Sequence, residues 1–328
     1  MAFESIQSIP KEEALMDFVI SEQTRIFTQK YTKTTSRDRV KRRKEATRLS
    51  VIGATEALAD RIEQNISSFP VFDELSPLYQ KLISIVIDVD DWKRNLGALK
   101  WLEKRAFAVQ KECTKKINRA GSEEQIKGFL HAFRGRVKSL IAQITPQLET
   151  LEEQRREFRK LPTIKEKYFT VVIYGFPNVG KTTLLQKLTG VNAEIAPYPF
   201  TTKGINLGYA LFADSKVQFV DTPGTLARSD RQNKYERMAQ VVFTHAAQAI
   251  IYVVDPTEST PEKEQMRLWK LIPKSLPYIT YVSKKDITAK KNWQTWKESF
   301  MPAGDLEDIK KFIEKHAYQN QINIEKSI

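Results

Sequence analysis

Two hydrophobic periodicities divide the chain. Through residue 165, apolar positions recur at three- and four-residue spacing, as amphipathic helices require, and strand signals are nearly absent. Ser76 followed by Pro77 reads as an N-cap with proline in the first turn, opening LYQKLISIVIDV. Ser122 with Gln125 forms a capping-box pattern ahead of IKGFLHAFRGRVKSLIAQI, and Asn118-Arg119-Ala120-Gly121 before it is a helix stop. After Pro146, QLETLEEQRREFRKL resumes a polar amphipathic helix that stops at Leu161-Pro162-Thr163, where the domain boundary is expected. Beyond it the pattern alternates. YFTVVIYG is a short β-branched run followed by helical KTTLLQKLTG. INLGYALF and KVQFVDTPG flank an Ala-Asp-Ser turn and predict a hairpin, and QAIIYVVD and PYITYVSKKD are further buried strands. The predicted architecture is an all-α domain over residues 1–165, then an α/β domain over 166–328 with a mainly parallel sheet and helices on both faces.

Composition adds a compartment and a partner class. The single cysteine, Cys113, allows no intrachain disulfide and points to a reducing compartment. His131, His245 and His316 lie far apart and spell no zinc motif. No apolar run approaches the roughly 18 residues that cross a bilayer, and the opening residues carry acids where a signal peptide would be apolar, so a cytoplasmic protein is expected. The net charge of +13 favours a polyanionic partner: RNA, DNA or an anionic membrane. Much of it sits in residues 25–48, where ten bases (Arg25, Lys30, Lys33, Arg37, Arg39, Lys41, Arg42, Arg43, Lys44, Arg48) face two acids, Asp38 and Glu45. Interleaved with Thr, Ser and Tyr31, this stretch of +8 reads as a phosphate-backbone contact.

The decisive chemistry is GFPNVGKT: Gly175, Phe176, Pro177, Asn178, Val179, Gly180, Lys181 and Thr182, followed by Thr183. It is the phosphate-loop pattern G-x-x-x-x-G-K-[ST], directly after a predicted strand and before a predicted helix. The glycines let backbone N–H groups wrap phosphates, Lys181 neutralises the β/γ charge, and the Thr182 hydroxyl is a magnesium ligand. Asp221-Thr222-Pro223-Gly224 ends the second hairpin strand. There a carboxylate can hold magnesium directly or through water, and the Gly224 N–H can meet a γ-phosphate. Thr202 in PYPFTTKG is the expected magnesium and γ-phosphate sensor, with Thr201 the runner-up. Ser283-Lys284-Lys285-Asp286 stands where GTPases carry [NT]-K-x-D. Asp286 would accept from guanine N1–H and the exocyclic amine, and Lys284 would lie along the base, while Ser283 departs from the asparagine of that pattern.

Together these motifs resemble the nucleolar GTP-binding protein family, ribosome-assembly GTPases of the Obg-like group. GFPNVGKT, PYPFTTKG and DTPG resemble its first three nucleotide boxes. FPVFDELSPLYQKLISIVID and LETLEEQRREFRKLPTI resemble its helical N-terminal region, so the likeness covers nearly the whole chain, in the compact archaeal form. The resemblance implies a P-loop GTPase with magnesium, acting in large ribosomal subunit assembly with its helical domain on ribosomal RNA. It also implies a fifth box, degenerate here; counting back from the last helix places it at Ser299-Phe300-Met301, where Phe300 replaces a small residue and reads equally as a core phenylalanine. Asn178 resembles an asparagine that in related GTPases helps hold potassium; otherwise it only hydrogen-bonds the loop. Thr225 stands where a Ras-type glutamine would orient water, so slow turnover is expected, with Lys181, Thr202 and Gly224 the groups acting at the γ-phosphate. A monomer without membrane attachment is expected. The rival readings are a non-catalytic GTP-binding RNA scaffold, a membrane-associated Obg-like GTPase and an ATPase.

Overall fold

The computed structural model describes residues 3–33, 38–190, 196–197, 206–212, 215–222, 234–257, 261–287 and 290–325. The described residues form two compact units that do not follow chain order. Residues 75–85 and 162–328 belong to one, residues 2–74 and 86–161 to the other.

The helical unit contains α1 (Glu12–Lys33), α2 (Arg39–Ser68), α4 (Val89–Arg119), α5 (Glu123–Gln143) and α6 (Thr145–Phe158). Short polar side chains start α2, α4 and α5 by supplying acceptors to otherwise orphaned N–H groups. Asp38 accepts from Val40 and Lys41, Asp88 from Asp90 and Asp91, and Ser122 from Gln125. The Gln125 side chain accepts in turn from Gly121 N at 2.7 Å, one residue upstream of the expected capping-box partner. The core is a stripe of Leu15, Val19, Val51, Leu58, Ile62, Leu99, Leu102 and Ile141. It is closed at one end by Phe158, whose ring lies 4.9 Å from Trp92 and 5.7 Å from both Phe3 and Phe69.

The second unit is a seven-stranded sheet in the order β2-β3-β4-β1-β5-β6-β7. Its strands are β1 (Phe169–Tyr174), β2 (Ala196–Pro197), β3 (Asn206–Phe212), β4 (Ser215–Asp221), β5 (Ala249–Val254), β6 (Tyr278–Val282) and β7 (Ala303–Gly304). β4, β1, β5, β6 and β7 run parallel, while β2 and β3 add an antiparallel edge. Successive side chains alternate faces. Val171, Ile173, Ile251, Val253 and Ile279 meet Leu184 and Leu188 of α7 (Lys181–Thr189) and Ile309 and Ile313 of α11 (Leu306–Glu325). Tyr174, Ile250, Tyr252, Val254 and Val282 meet Leu268 of α9 (Glu262–Trp269), Trp296 of α10 (Lys290–Ser299) and Phe300 just after it. Two covered faces explain why these strands read as continuous apolar runs. Helix α8 (Lys234–Ala246) completes the α/β elements. Helix α3 (Pro77–Val86), from within the helical half of the sequence, also groups with this unit: Tyr79 Oη donates to Ile164 O at 2.8 Å, and Lys81 Nζ lies 2.9 Å from His245 Nε2.

Phe158 is wholly buried among three rings. Phe158→Ala is expected to destabilise the helical unit by about 3–5 kcal/mol, read as a fall in the urea midpoint of unfolding.

Candidate functional site

Parallel strands collect their C-terminal ends on one edge, and ligands of open α/β sheets bind there, where the strand order reverses. β1 is that reversal point, with β4 on one side and β5 on the other. The register aligns the ends: Ile173 beside Asp221, Tyr174 beside Tyr252, and Val254 beside Val282.

The loop from Gly175 to Gly180 needs a backbone that L side chains rarely adopt. Gly175 has φ +153°, and a Cβ there would lie 2.4 Å from Val253 O. Gly180 has φ +97° and would carry a Cβ 3.5 Å from that of Ser283. Asn178 takes φ 62°, which asparagine tolerates better than other side-chain-bearing residues. Val179 is fully buried and anchors the loop, while Pro177 and Asn178 are exposed. Gly180 hands over to α7, whose N-terminus presents free N–H groups.

Lys181, the first residue of α7, is 7% exposed. Its Nζ donates to Gly175 O at 3.0 Å and Phe176 O at 2.6 Å. Burial pushes its pKa down to about 8, against the opposing pull of Asp221. Thr182 Oγ1 donates to Asp221 Oδ2 at 2.7 Å, and Asn206 Nδ2 donates to the same oxygen at 3.1 Å. The other oxygen, Oδ1, is buried without a hydrogen-bond partner among the described residues. Burial raises the Asp221 pKa despite Thr182, Lys181 and Asn206. A hard-cation site needs such an oxygen set, a hydroxyl beside an unsatisfied carboxylate oxygen, so these residues fit magnesium. Thr222 is a clamp within the sheet: its Oγ1 donates to Ile173 O at 3.0 Å.

At the end of β6, Ser283 Oγ donates to Val254 O at 2.9 Å. Lys284 turns left-handed at φ 52°, and its Nζ meets Asp255 Oδ2 at 2.5 Å. Asp255 is fully buried and accepts from Thr257 N and Oγ1 through its other oxygen. Its backbone is pinned by Gln265, whose Oε1 and Nε2 bind Asp255 N and O at 2.9 Å each. Lys285 and Asp286 are exposed at this rim. Sequence reasoning missed Asn206 and Asp255. The signal for Asp255 is a lone acid closing the apolar run IIYVV, the position Asp221 holds on its own strand.

The structure brings together Gly175 through Thr183, Asp221, Thr222 and Ser283 through Asp286. Thr201, Thr202, Pro223 and Gly224 lie outside the described residues. Ser299-Phe300-Met301 needs correction as a base-contacting box. These residues precede β7, which runs parallel to β6 with Ala303 beside Thr280, so they lie at the opposite end of the strands from the phosphate loop. Phe300 is fully buried, 5.5 Å from Trp296 and 6.0 Å from Trp269, and Ser299 Oγ bonds Thr295 O within its own helix. The residues that emerge at the nucleotide end are Gly304 and Asp305, the latter capping α11 by accepting from Glu307 N and Asp308 N.

The basic segment is partly neutralised. Arg39 and Arg43 both meet Glu123, Arg25 meets Glu22, and Arg42 donates to Tyr31 Oη while lying over its ring at 4.3 Å. Lys44 donates to Asn118 O. Lys33, Lys41 and Arg48 have no carboxylate within 4.0 Å among the described residues.

Comparison with known proteins agrees with this geometry. Residues 3–165 match the NOG1 N-terminal helical domain, and residues 170–284 match a 50S ribosome-binding GTPase domain. The sheet, phosphate loop and Asp221 site thus define a P-loop GTPase domain accompanied by a helical N-terminal domain. Among the relatives is the Methanocaldococcus jannaschii protein MJ1408, 37% identical over 236 residues, covering 70% of this chain and 66% of the relative. Nucleolar GTP-binding protein 1 of Drosophila melanogaster is 31% identical over 234 residues, covering 70% of this chain but 36% of the relative. A solved structure of putative nucleolar GTP-binding protein 1 from Plasmodium falciparum aligns with a TM-score of 0.38 at 20% identity, covering 50% of this chain and 93% of that one. The chain belongs to the nucleolar GTP-binding protein family and spans between about a third and two thirds of the length of these curated relatives. No helix among the described residues is long and apolar enough to cross a membrane.

Triphosphate binding should restore the full charge of Lys181 from its depressed free value. At about pH 8.5 nucleotide binding is therefore expected to take up a proton, and at about pH 6.5, where the lysine is already protonated, it should not. Calorimetry in buffers of different ionisation enthalpy reads the difference.

Proposed function

We propose that the protein is a magnesium-dependent GTP switch of large ribosomal subunit assembly that hydrolyses GTP slowly and contacts ribosomal RNA through its helical unit. The observation that carries the nucleotide half is the buried Lys181 ammonium, held by two backbone carbonyls, and an Asp221 oxygen that has no hydrogen-bond partner among the described residues. A polyphosphate with its cation supplies what both groups lack. Magnesium, held by Thr182 and Asp221, would neutralise β- and γ-phosphate charge. Guanine selectivity rests on the exposed Asp286 carboxylate, which matches the N1–H and amine of guanine, and Lys284 is held for the base by Asp255.

Hydrolysis in this reading is in-line attack of water on the γ-phosphoryl, helped by positioning and by charge stabilisation from Lys181 and the loop N–H groups. Thr202 and Gly224 are the proposed sensors, drawn to the γ-phosphate and released with it. With Thr225 in place of a water-orienting glutamine, turnover near or below the roughly 10⁻⁴–10⁻³ per second of an unassisted small GTPase is expected. The left-handed backbone at Asn178 accounts for asparagine by itself. Potassium would add a second role, which faster phosphate release in potassium than in sodium would support and equal release would remove.

The RNA half rests on the basic α1–α2 segment and on the family. Lys181→Ala should lose GTP affinity by at least about tenfold without loss of fold, measured with a fluorescent GTP analogue; undiminished binding would overturn the nucleotide assignment. Reversing Lys33, Lys41 and Arg48 to glutamate should weaken binding to large-subunit ribosomal RNA fragments and flatten its salt dependence, because each lost phosphate contact removes about 0.9 from the duplex slope.

A further inference from the structure

Away from the nucleotide edge, the sheet unit gathers three lysines and two tyrosines from separate segments. Lys165, Lys167 and Tyr168 precede β1, Tyr209 lies on β3 and Lys216 on β4. The tyrosine rings stand edge to face, with centroids 6.2 Å apart at 80°. Lys165 Nζ lies 4.9 Å from the Tyr209 centroid and 5.5 Å from that of Tyr168, while Lys167 and Lys216 approach Tyr168 at 5.4 and 6.0 Å. All three lysines are exposed, and both rings are partly so. Leu211, 69% exposed, pairs across the hairpin with Lys216 and extends the apolar surface.

None of the three lysines has a carboxylate within 4.0 Å among the described residues. The acid between Lys165 and Lys167, Glu166, accepts a hydrogen bond from Ser76 Oγ. Three ammonium groups crowded on two rings repel one another, and an anion is the partner that relieves this. The surface is also fixed in place. Lys165 N donates to the side chain of buried Gln218 at 2.9 Å, Tyr168 N to Lys165 O at 2.9 Å, and Tyr209 Oη to Thr163 O at 3.4 Å.

Cations alone would suit any phosphate backbone. Aromatic faces among them suit strands whose bases are free to stack. We propose that this patch binds single-stranded RNA, with unpaired bases stacking on Tyr168 and Tyr209 and phosphates held by Lys165, Lys167 and Lys216. It rests on the RNA reading above and adds a second contact, on the GTPase unit, with a preference for unpaired segments.

The test is fluorescence anisotropy of the full chain with a single-stranded oligouridine and with an RNA duplex of equal length, over a range of salt. Tyr168→Leu should weaken oligouridine binding about tenfold, the lower part of the roughly 1–3 kcal/mol per stacked base, while leaving duplex binding unchanged; Tyr168→Phe should bind as the native protein does. The combined Lys165→Ala, Lys167→Ala and Lys216→Ala variant should lower the single-strand salt slope by about 2, at roughly 0.7 per phosphate. Native GTP affinity in each variant certifies the fold. A Tyr168→Leu protein that keeps both GTP and oligouridine affinity overturns the proposal, as do equal losses on single strand and duplex. If the native protein binds duplex but not oligouridine, the patch assignment falls and the RNA reading stands; if it binds neither, the RNA reading itself falls.

Discussion

An ammonium group buried against two backbone carbonyls is the constraint around which the α/β unit is organised. Lys181 is desolvated enough to lose part of its hold on a proton, and the carboxylate that offsets this, Asp221, has one oxygen without a hydrogen-bond partner among the described residues. Such an arrangement is costly in the free protein, because charges taken from water need compensation that these groups give each other only in part. The glycine turn makes it unavoidable: with Val253 O so close to the Gly175 Cα, the loop closes in one way, and the lysine that follows lands over its carbonyls. The same loop thus fixes a desolvated cation and a carboxylate side by side at the sheet edge.

The nucleotide edge was legible because its chemistry is written in contiguous residues. A strand, a glycine turn and a lysine at the head of a helix are local features, and local features carry sequence patterns. Partners from distant segments were not legible. The charge count over residues 25–48 could not foresee Glu123, which neutralises Arg39 and Arg43 from another helix. Asn206 reaches Asp221 only because the hairpin register puts the two opposite each other.

The fifth box failed for a related reason. Counting back from α11 ignored β7, a two-residue strand too short to show any periodicity. Once β7 is in place, Phe300 belongs to the core beneath α9, and Gly304-Asp305 takes the rim beside Lys285, a lysine whose pKa burial pushes down and Asp305 partly restores. The amphipathic pattern of α3 likewise announced a face to be buried without saying against what.

That helix has a consequence for biosynthesis. Leu78, Leu82 and Ile83 are covered in the finished protein, yet the segments that hold α3, at Ile164 and His245, are translated long after it. At about 5–20 residues per second, α3 waits on the order of ten seconds for its companions. The helical half thus emerges from the ribosome before His245 exists to meet Lys81, and a gene split at residue 165 would part α3 from that partner while leaving it Ile164.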